Sequence, residues 1–269
     1  MSRRGKVRSV PIRGADEIDL SREAGGLAAK VLAMLTPHVQ PGVSTDDLDR
    51  LCHDYIVNEL QCVATNIGYG GFPKTVCTSV NHVVCHGIPS ATEILKDGDI
   101  INVDVAVTTP RGWIGDTSRM YYVGQPGNQA RRLVETTYEA LLAGIRAVKP
   151  GATLGDIGHA IQSIAQRERF GVVREYCGHG IGTVYHDDPQ VLHYGVQGQG
   201  LVLEPGMIFT IEPMLNAGKA ATRELSDGWT VITNDKSLSA QWEHMVVVTE
   251  TGFEVLTPWP DGTGSYPAI

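Results

Sequence analysis

The sequence predicts an α/β fold of the α+β kind, built from two related halves. An internal repeat is the first observation: PGVSTDDLDR begins at Pro41 and PGATLGDIGH at Pro150, an offset of 109 residues. LKDGDIINVD and LEPGMIFTIE, which begin at Leu95 and Leu203, repeat with an offset of 108. The second observation is that both halves show the same order of patterns: helix, helix and then strands. The nearly equal offsets indicate one structural plan used twice.

The predicted elements follow in chain order. Apolar residues at helical spacing predict the first helix of each half, at roughly 18–38 and 129–148, each ending near a Pro-Gly pair. Ser44 and Thr153 are expected to cap the second helix of each half. Segments rich in Val, Ile, Thr and aromatic residues predict strands at about 99–108, 112–123, 207–214, 229–233 and 243–249. No low-complexity linker separates the halves, so we expect them to share one sheet and one core.

Length and charge limit the class of protein. The chain has 269 residues, 42% of them hydrophobic, and its net charge of −8 argues against a general nucleic-acid binder. We predict a basic, flexible tail over 1–14, a single folded domain over 15–257 and a C-terminal tail over 258–269. The basic tail is the one segment that could contact RNA or another anionic partner.

The sequence also predicts a compartment. No apolar run reaches the length of a membrane span, and the basic start lacks the apolar stretch of a secretory signal. The five cysteines are an odd number without a C-x-x-C pair, so we expect reduced thiols rather than a disulfide framework or a zinc ribbon. These features favour a cytoplasmic protein.

Five side chains that could bind metal lie on short apolar segments, and four of them are carboxylates. They are Asp104, Asp116, His179, Glu212 and Glu243. Any one of these carboxylates alone would more often be a hydrogen-bonded strand end. Four that converge would need a cation, because like charges so close cannot all stay ionised. One imidazole and four oxygen donors suit a pair of divalent ions, which predicts a dinuclear metallohydrolase.

The repeat explains how such residues could meet. It aligns Asp104 with Glu212, so a pseudo-two-fold axis would place these two carboxylates opposite each other. Asp116 and Glu243 each lie on the next strand of their half and would close the site. Alternation along a strand puts Thr210 on the same face as Glu212.

The histidines divide by context. His179 lies between glycines, which allows close approach to a ligand, whereas His244 should face away from Glu243 and is interpreted as structural. His86 and His186 are candidate donors to a substrate carbonyl and scissile amide. Four others are assigned to the surface or to helix faces: His38, His53, His159 and His193.

Other catalytic motifs are weak or missing from the sequence. It contains no P-loop, no GxGxxG after a strand, no GxSxG and no HExxH. Cys85 beside His86 could be a nucleophile, but adjacent residues on a strand face apart, so this alternative is disfavoured.

Seven segments closely resemble those of the type I methionine aminopeptidases. They are YGGFPKTVCTSVNHVVCHGIP, DGDIINVDV, GDTSRM, VVREYCGHGIGTVYHDDPQVLHY, PGMIFTIEPM, DGWTV and SLSAQWEHMVVVT. The resemblance extends over about residues 15–257 and implies the pseudo-two-fold "pita-bread" fold, an antiparallel sheet covered by helices. The resemblance is to the short bacterial-type form, so we expect neither a zinc-binding N-terminal extension nor the long insertion of the type II enzymes.

The resemblance also implies roles for the site residues. Asp116 and Glu243 would bridge two divalent ions, which could be Co, Mn, Fe or Zn. Asp104 would complete the coordination of one ion, and His179 with Glu212 that of the other. The implied reaction is removal of the initiator methionine from a nascent polypeptide whose second residue is small. A metal-bridging hydroxide would attack the methionine carbonyl while Glu212 shuttles the proton.

Two histidines and a pocket complete the implied site. His186 would stabilise the oxyanion, and His86 would contact the nitrogen of the scissile amide. The methionine pocket would be lined by Tyr69, Phe72, Cys77, Tyr185 and Trp229. The chain departs from the common family pattern at Asn66, Phe72, His82, Tyr185 and Trp242, and these departures affect expectations about substrate range but not about the reaction.

Two alternatives remain open at this point. One is an X-Pro dipeptidase or aminopeptidase P on the same fold, although those relatives usually carry a further N-terminal domain. The other is a metal-free binding module, which would be expected to lack some ligands. Expected partners are the N-termini of nascent polypeptides and, through the basic tail, the ribosome; we expect no membrane contact and a monomer.

Overall fold

The computed structural model describes residues 10–260, which contain four α-helices and a set of short strands. The helices are α1 Ala15–Leu35, α2 Thr45–Asp54, α3 Asn128–Arg146 and α4 Leu154–Arg167. Short helical turns cover Thr36–His38, Tyr55–Glu59 and Tyr69–Gly71. All four predicted helices are therefore confirmed, with bounds that differ by a few residues.

The strands are short apart from one long hairpin. In chain order they are β1 Val63–Ala64, β2 Val76–Val80, β3 Val83–Cys85, β4 Ile100–Thr108, β5 Ile114–Tyr122, β6 Gly171–Val172, β7 Gly178–Gly180, β8 Asp187–Val191, β9 Ile208–Ile211, β10 Met214–Asn216, β11 Thr222–Glu224, β12 Val231–Thr233, β13 Ser239–Gln241, β14 His244–Val248 and β15 Phe253–Val255. Each predicted strand segment contains at least one of them.

The two halves repeat each other in backbone hydrogen bonds. Ser44 accepts a hydrogen bond from the backbone N–H of Asp47 at the start of α2, and Thr153 does the same with Asp156 at the start of α4. Both are capping boxes, so the two predicted caps are confirmed. Each cap residue also forms an isolated antiparallel bridge, Ser44 with Ile94 and Thr153 with Val202.

The strands form four hydrogen-bonded antiparallel sheets rather than the one shared sheet that the sequence suggested. β4 pairs with β1, β2 and β5, and the orders of the other three sheets are β13-β10-β6, β11-β12-β3 and β15-β14-β9-β7-β8. Pro213 lies between β9 and β10, and a proline has no N–H to continue a ladder. Several hydrogen bonds join the halves besides the β3–β12 pairing. Asn102 Nδ2 donates to the Gln241 carbonyl over 2.8 Å, Thr117 Oγ1 to that of Glu243 over 2.7 Å, and the Glu243 N–H to that of Ser118 over 3.1 Å.

The core of the described residues consists of two large apolar clusters and two smaller ones instead of a single cluster. One lies under α1 and α2 and includes Leu32 and Val103; the other lies under α3 and α4 and includes Phe209 and Trp242. Helix α1 packs closely against β5 at Gly115. A Cβ added at Gly115 would lie only 2.0 Å from the carbonyl oxygen of Ala24 in α1. Each half therefore has its own helix-covered core, and the two smaller clusters contain residues of both halves.

The two predicted tails are described only in part. Residues 1–9 and 261–269 lie outside the described residues. In the described part, the Arg13 N–H donates to the Gly206 carbonyl over 2.9 Å, and its guanidinium lies 5.3 Å from the Trp113 ring centre. Trp259 packs 4.5 Å from the His244 ring. Among residues 10–260, no helix is long and apolar enough to cross a membrane.

Candidate active site

All five predicted metal ligands line one cavity of about 210 Å³ between the two halves. His179 Nε2 lies 3.4 Å from Asp116 Oδ2 and 3.6 Å from Glu212 Oε1. One ligand atom each from Asp116, His179 and Glu243 fall within 4.8 Å of one another. The structure thus brings together residues that are up to 139 positions apart, from Asp104 to Glu243.

Strand register places each of these side chains. In the β4–β5 hairpin, Asp104 lies opposite Ser118 and Ala106 opposite Asp116, so the two carboxylates are diagonal neighbours on one face. In the second half, His244 lies opposite Ile211 at the ends of β14 and β9. Glu212 directly follows β9 and Glu243 directly precedes β14. The two residues therefore extend the antiparallel pairing by one position and lie next to each other.

The cluster is buried, and burial changes the pKa values of four of its members: Asp104, His179, Glu212 and Glu243. Burial and the negative charge of Asp116 raise the pKa of Asp104 and Glu243 well above the ordinary carboxyl value. Burial also raises the pKa of Glu212, to about 7, against the opposing charge of His179. Burial alone would lower the pKa of His179, but the contacts with Asp116 and Glu212 outweigh it and raise the pKa to about 9.

The residues present fit divalent cations. Asp116 lines the cavity, and its Oδ1 is buried and has no hydrogen-bond partner among the described residues. An unpaired buried carboxylate oxygen is costly unless a cation binds it. Four carboxylates supply hard oxygen donors and the imidazole supplies a borderline nitrogen donor, a set that suits divalent first-row metals.

Three neighbours hold Glu212 in place. Thr210 Oγ1 donates to Glu212 Oε1 over 2.8 Å, and Gln241 Nε2 donates to Oε2 over 3.2 Å. The backbone N–H of Glu212 donates to His193 Nε2 over 3.1 Å. These groups orient a ligand from outside the cluster, as supporting residues do at metal sites.

The assignment of His193 to the surface or a helix face was wrong. His193 is only 1% exposed and lies two residues beyond β8, against Glu212. Burial lowers its pKa to about 3, so the ring is neutral. The β7–β8–β9 ladder brings His193 next to Glu212, and β8 was not predicted from the sequence.

The two candidate donor histidines line the same cavity as the carboxylates. His86 follows β3 with φ at 56°, an unfavourable backbone conformation for this residue type, and its ring contacts Trp229 edge-on at 6.3 Å. Burial lowers its pKa. The His186 ring lies 4.2 Å from the His179 ring; burial and the His179 charge lower its pKa to about 4.

The five predicted pocket residues form the other wall of the cavity, together with Asn66. Phe72 and Trp229 meet edge to face with ring centres 5.1 Å apart, and Tyr69 and Tyr185 do so at 4.8 Å. The Tyr185 hydroxyl donates to Asn66 Oδ1 over 2.8 Å. All twelve residues singled out from the sequence thus surround one space, and their individual roles remain predictions.

Three further residues singled out in the sequence can be compared with the structure. His244 faces away from the cavity, and its Nδ1 lies 2.9 Å from Thr257 Oγ1, which agrees with a structural role. Cys85 is buried, and burial together with the charge of Glu212 raises its pKa well above the usual thiol value. A thiol in that environment is a poor nucleophile. Trp242 lies in the core, where its Nε1 donates to the Val134 carbonyl over 3.1 Å.

Known proteins resemble this chain along nearly its whole length. The profile of metallopeptidase family M24 matches residues 19–250. The methionine aminopeptidase of Escherichia coli K12 is 54% identical over 261 residues, which cover 97% of this chain and 98% of that protein. The methionine aminopeptidase of Haemophilus influenzae is 54% identical over 250 residues, 93% of each chain.

Solved structures share the fold. The crystal structure of the Rickettsia prowazekii methionine aminopeptidase superposes with a TM-score of 0.91 at 52% identity, covering 93% of this chain and 100% of that one. A prolidase from Pyrococcus horikoshii has a TM-score of 0.73 at 21% identity, and this chain covers 65% of it, which shows a common fold alone. The pita-bread fold expected from the sequence is therefore confirmed. The cluster of acidic residues and histidine, the family profile and these relatives together show that the chain belongs to metallopeptidase family M24, as a methionine aminopeptidase of the type I bacterial form.

Proposed function

We propose that this chain removes the N-terminal methionine from nascent polypeptides, by metal-dependent hydrolysis of the first peptide bond. The observation that carries the proposal is that one cavity holds both a cluster of metal-binding side chains and an aromatic pocket. An apolar pocket lined by aromatic rings suits a thioether, because sulfur packs well against aromatic edges. The pocket and the cluster are close enough to act on one residue.

Two divalent ions are the proposed cofactor. Asp116 and Glu243 would hold both ions, Asp104 would hold one of them, and His179 with Glu212 the other. Such ions supply hydrolysis with activated water at neutral pH and with polarisation of the substrate carbonyl. The oxygen-rich ligands suit Mn, Fe or Co and also accept Zn.

The protein's own groups position the substrate and transfer protons. Phe72 and Trp229 would hold the methionine side chain in the aromatic wall of the cavity. Glu212, oriented by Thr210 and Gln241, would take a proton from the attacking water and deliver it to the leaving amine. His186 would donate to the carbonyl oxygen as negative charge develops there.

His86 would contact the nitrogen of the scissile amide. Burial lowers its pKa, so the imidazole is neutral near pH 7 and can accept a hydrogen bond from the amide N–H. A small second residue in the substrate would allow this approach. The proposal therefore includes the preference for small second residues.

The setting of the activity is also part of the proposal. We place the protein in the cytoplasm as a monomer, with the basic residues before Asp16 contacting the ribosome. All five cysteines lie in the described part of the chain and are free, which supports a reducing compartment. The many arginines and the lysine of the predicted tail support an anionic partner.

Hydrolysis of short peptides tests the proposal. Chelator-stripped protein is assayed with Met-Ala-Ser, Leu-Ala-Ser and an Ala-Pro peptide while Mn, Fe(II), Co or Zn is added back. The proposal predicts metal-dependent release of methionine and little release of leucine or of alanine before proline. Preferential cleavage of the Ala-Pro peptide would contradict the substrate assignment. Folded protein that is inactive with every metal would contradict the enzymatic function itself.

A further inference from the structure

Tyr69 makes a contact that a pocket wall does not require. It begins the helical turn Tyr69–Gly71, and its side chain lies at the mouth of the cavity, where the residue remains 44% exposed. Its hydroxyl lies 2.7 Å from Nδ1 of His186. We propose that Tyr69 is a positioning residue that fixes the tautomer and the orientation of His186. This inference rests on the proposed function, in which His186 donates to the substrate carbonyl.

His186 needs a group of this kind because its side chain is only partly buried and the residue comes just before β8 rather than within the strand. Stacking on Tyr185, with ring centres 4.2 Å apart and planes inclined by 30°, restrains the plane of the imidazole. Stacking cannot distinguish the ring from one turned over by a half rotation, because both orientations present the same flat surface. A hydrogen bond to one ring nitrogen does distinguish them.

The direction of this hydrogen bond decides what His186 can do. A neutral imidazole carries one proton, and the hydrogen bond at one nitrogen determines which nitrogen keeps it. When the Tyr69 hydroxyl donates to Nδ1, the proton stays on Nε2. Nε2–H is then the donor available to a carbonyl oxygen in the cavity. The opposite tautomer would present an acceptor to a developing negative charge and would be unproductive.

The neighbouring tyrosine provides a matched comparison. The Tyr185 hydroxyl donates to Asn66 Oδ1 over 2.8 Å and not to a histidine. Both tyrosines line the same cavity, and their rings touch edge to face. Removal of either hydroxyl keeps the aromatic wall, but only the Tyr69 change should act through His186.

Steady-state kinetics on Met-Ala-Ser test the inference with Tyr69→Phe, Tyr185→Phe, His186→Ala and the two double variants that combine a tyrosine change with His186→Ala. Tyr69→Phe should lower kcat about tenfold, the lower end for loss of a supporting hydrogen bond at a metal site, and leave KM within about twofold. In the His186→Ala background it should change kcat by less than about twofold, because its effect passes through the missing ring. Tyr185→Phe should have the same effect in both backgrounds.

A pocket-lining role would give a different result. KM would then rise with little change in kcat, or kcat would fall by the same factor with and without His186; either outcome overturns the inference. Metal content, measured by elemental analysis, should be equal in wild type and Tyr69→Phe. Loss of metal in Tyr69→Phe would also overturn it.

A spectroscopic measurement separates this inference from the proposed function. Full-length protein labelled with 15N-histidine and loaded with zinc, a diamagnetic ion, gives long-range 1H–15N spectra in which the two tautomers differ. His186, assigned from its missing signals in His186→Ala, should carry its proton on Nε2 in the wild type and show a mixture in Tyr69→Phe. An unchanged tautomer contradicts the inference even if the protein cleaves Met-Ala-Ser. A wild type with the expected tautomer but no cleavage contradicts only the proposed function.

Discussion

The two halves of the molecule have the same scaffold but contribute different chemistry. The Gly42 N–H donates to the Leu95 carbonyl over 2.8 Å, and the equivalent Gly151 N–H donates to that of Leu203 over 3.0 Å. The capping boxes of α2 and α4 repeat as well. The first half nevertheless supplies only two carboxylates to the cluster, whereas the second supplies two carboxylates and the imidazole of His179.

The strands explain this difference. In the first half, β4 and β5 form an uninterrupted nine-pair ladder that presents Asp104 and Asp116 from one face. In the second half the β9–β14 ladder is shorter, and β10 to β13 lie in the chain between these strands. That interruption contains Trp229, which reaches the cavity from the second half. The repeated helices and strands therefore form the common scaffold. The segments in which the two halves differ, such as the one that contains Trp229, add residues to the substrate site.

The largest effect is expected from removing a carboxylate that the first half contributes to both ions. Asp116→Asn should reduce the hydrolysis of Met-Ala-Ser by about 10³-fold or more while the protein stays folded, because the shared ligand is lost. Activity, metal content and circular dichroism check this. Asp54→Asn, at an exposed carboxylate of the same half, is the control and should behave as wild type. Activity within tenfold of wild type would disprove the ligand assignment of Asp116.

A smaller loss is expected from replacing either of the two histidines proposed to contact the substrate, His86 from the first half and His186 from the second. His86→Ala and His186→Ala should each lower kcat about 10²-fold, a typical contribution of a positioned acid, base or oxyanion donor. Metal content should be preserved, because neither ring belongs to the proposed ligand set. Elemental analysis alongside kinetics checks this. Loss of metal in either variant would mean that the histidine is a ligand.

The repeated scaffold predicts equal and moderate effects on stability. Ser44→Ala and Thr153→Ala should each lower the free energy of unfolding by about 1 kcal/mol, because each removes a side-chain cap from a helix N-terminus. Urea denaturation followed by circular dichroism measures the change, and Ser226→Ala, at an exposed position, is the control. If only one of the two variants lowers the free energy of unfolding, the two caps are not equivalent.

The smallest effect concerns acid stability. Hydrogen bonds lower the pKa of Asp47 and Asp156 below the usual 3.8, chiefly those with Ser44 and with the Thr153 backbone N–H. A lowered folded-state pKa contributes stability that is present above pH 3.8 and is lost as the pH falls through the lowered value. Asp47→Asn and Asp156→Asn should each flatten the fall in unfolding free energy over that range. An unchanged pH dependence of urea denaturation in both variants would contradict the hydrogen-bonded capping boxes.

Much of the fold could be predicted from the sequence because local chemistry determines it. Caps, helical periodicity and β-branched segments are properties of neighbouring residues, and so are the offsets of the repeat. The division into four sheets was not predicted. It depends on Pro213 and on ladders such as β7–β8–β9, which involve partners far apart in the chain.

The site shows the same limit. The ligand candidates were recognisable because a carboxylate within an apolar segment is unusual by itself, and the family resemblance supplied their roles. The hydrogen bond between His193 and the Glu212 backbone could not be predicted, nor could the one between Tyr69 and His186. Each is a contact between segments whose order in the chain carries no periodic signal, so only the folded arrangement reveals it.

The most direct test of the account is the number of metal ions that the chain binds. Elemental analysis and calorimetric titration of chelator-stripped protein with Mn or Co would compare wild type with Asp104→Asn from the first half and Glu212→Gln from the second. The account predicts two ions per wild-type chain and weakened binding of one ion in each variant. A wild type that binds a single ion, or variants in which only one half affects metal binding, would contradict a site assembled from both halves.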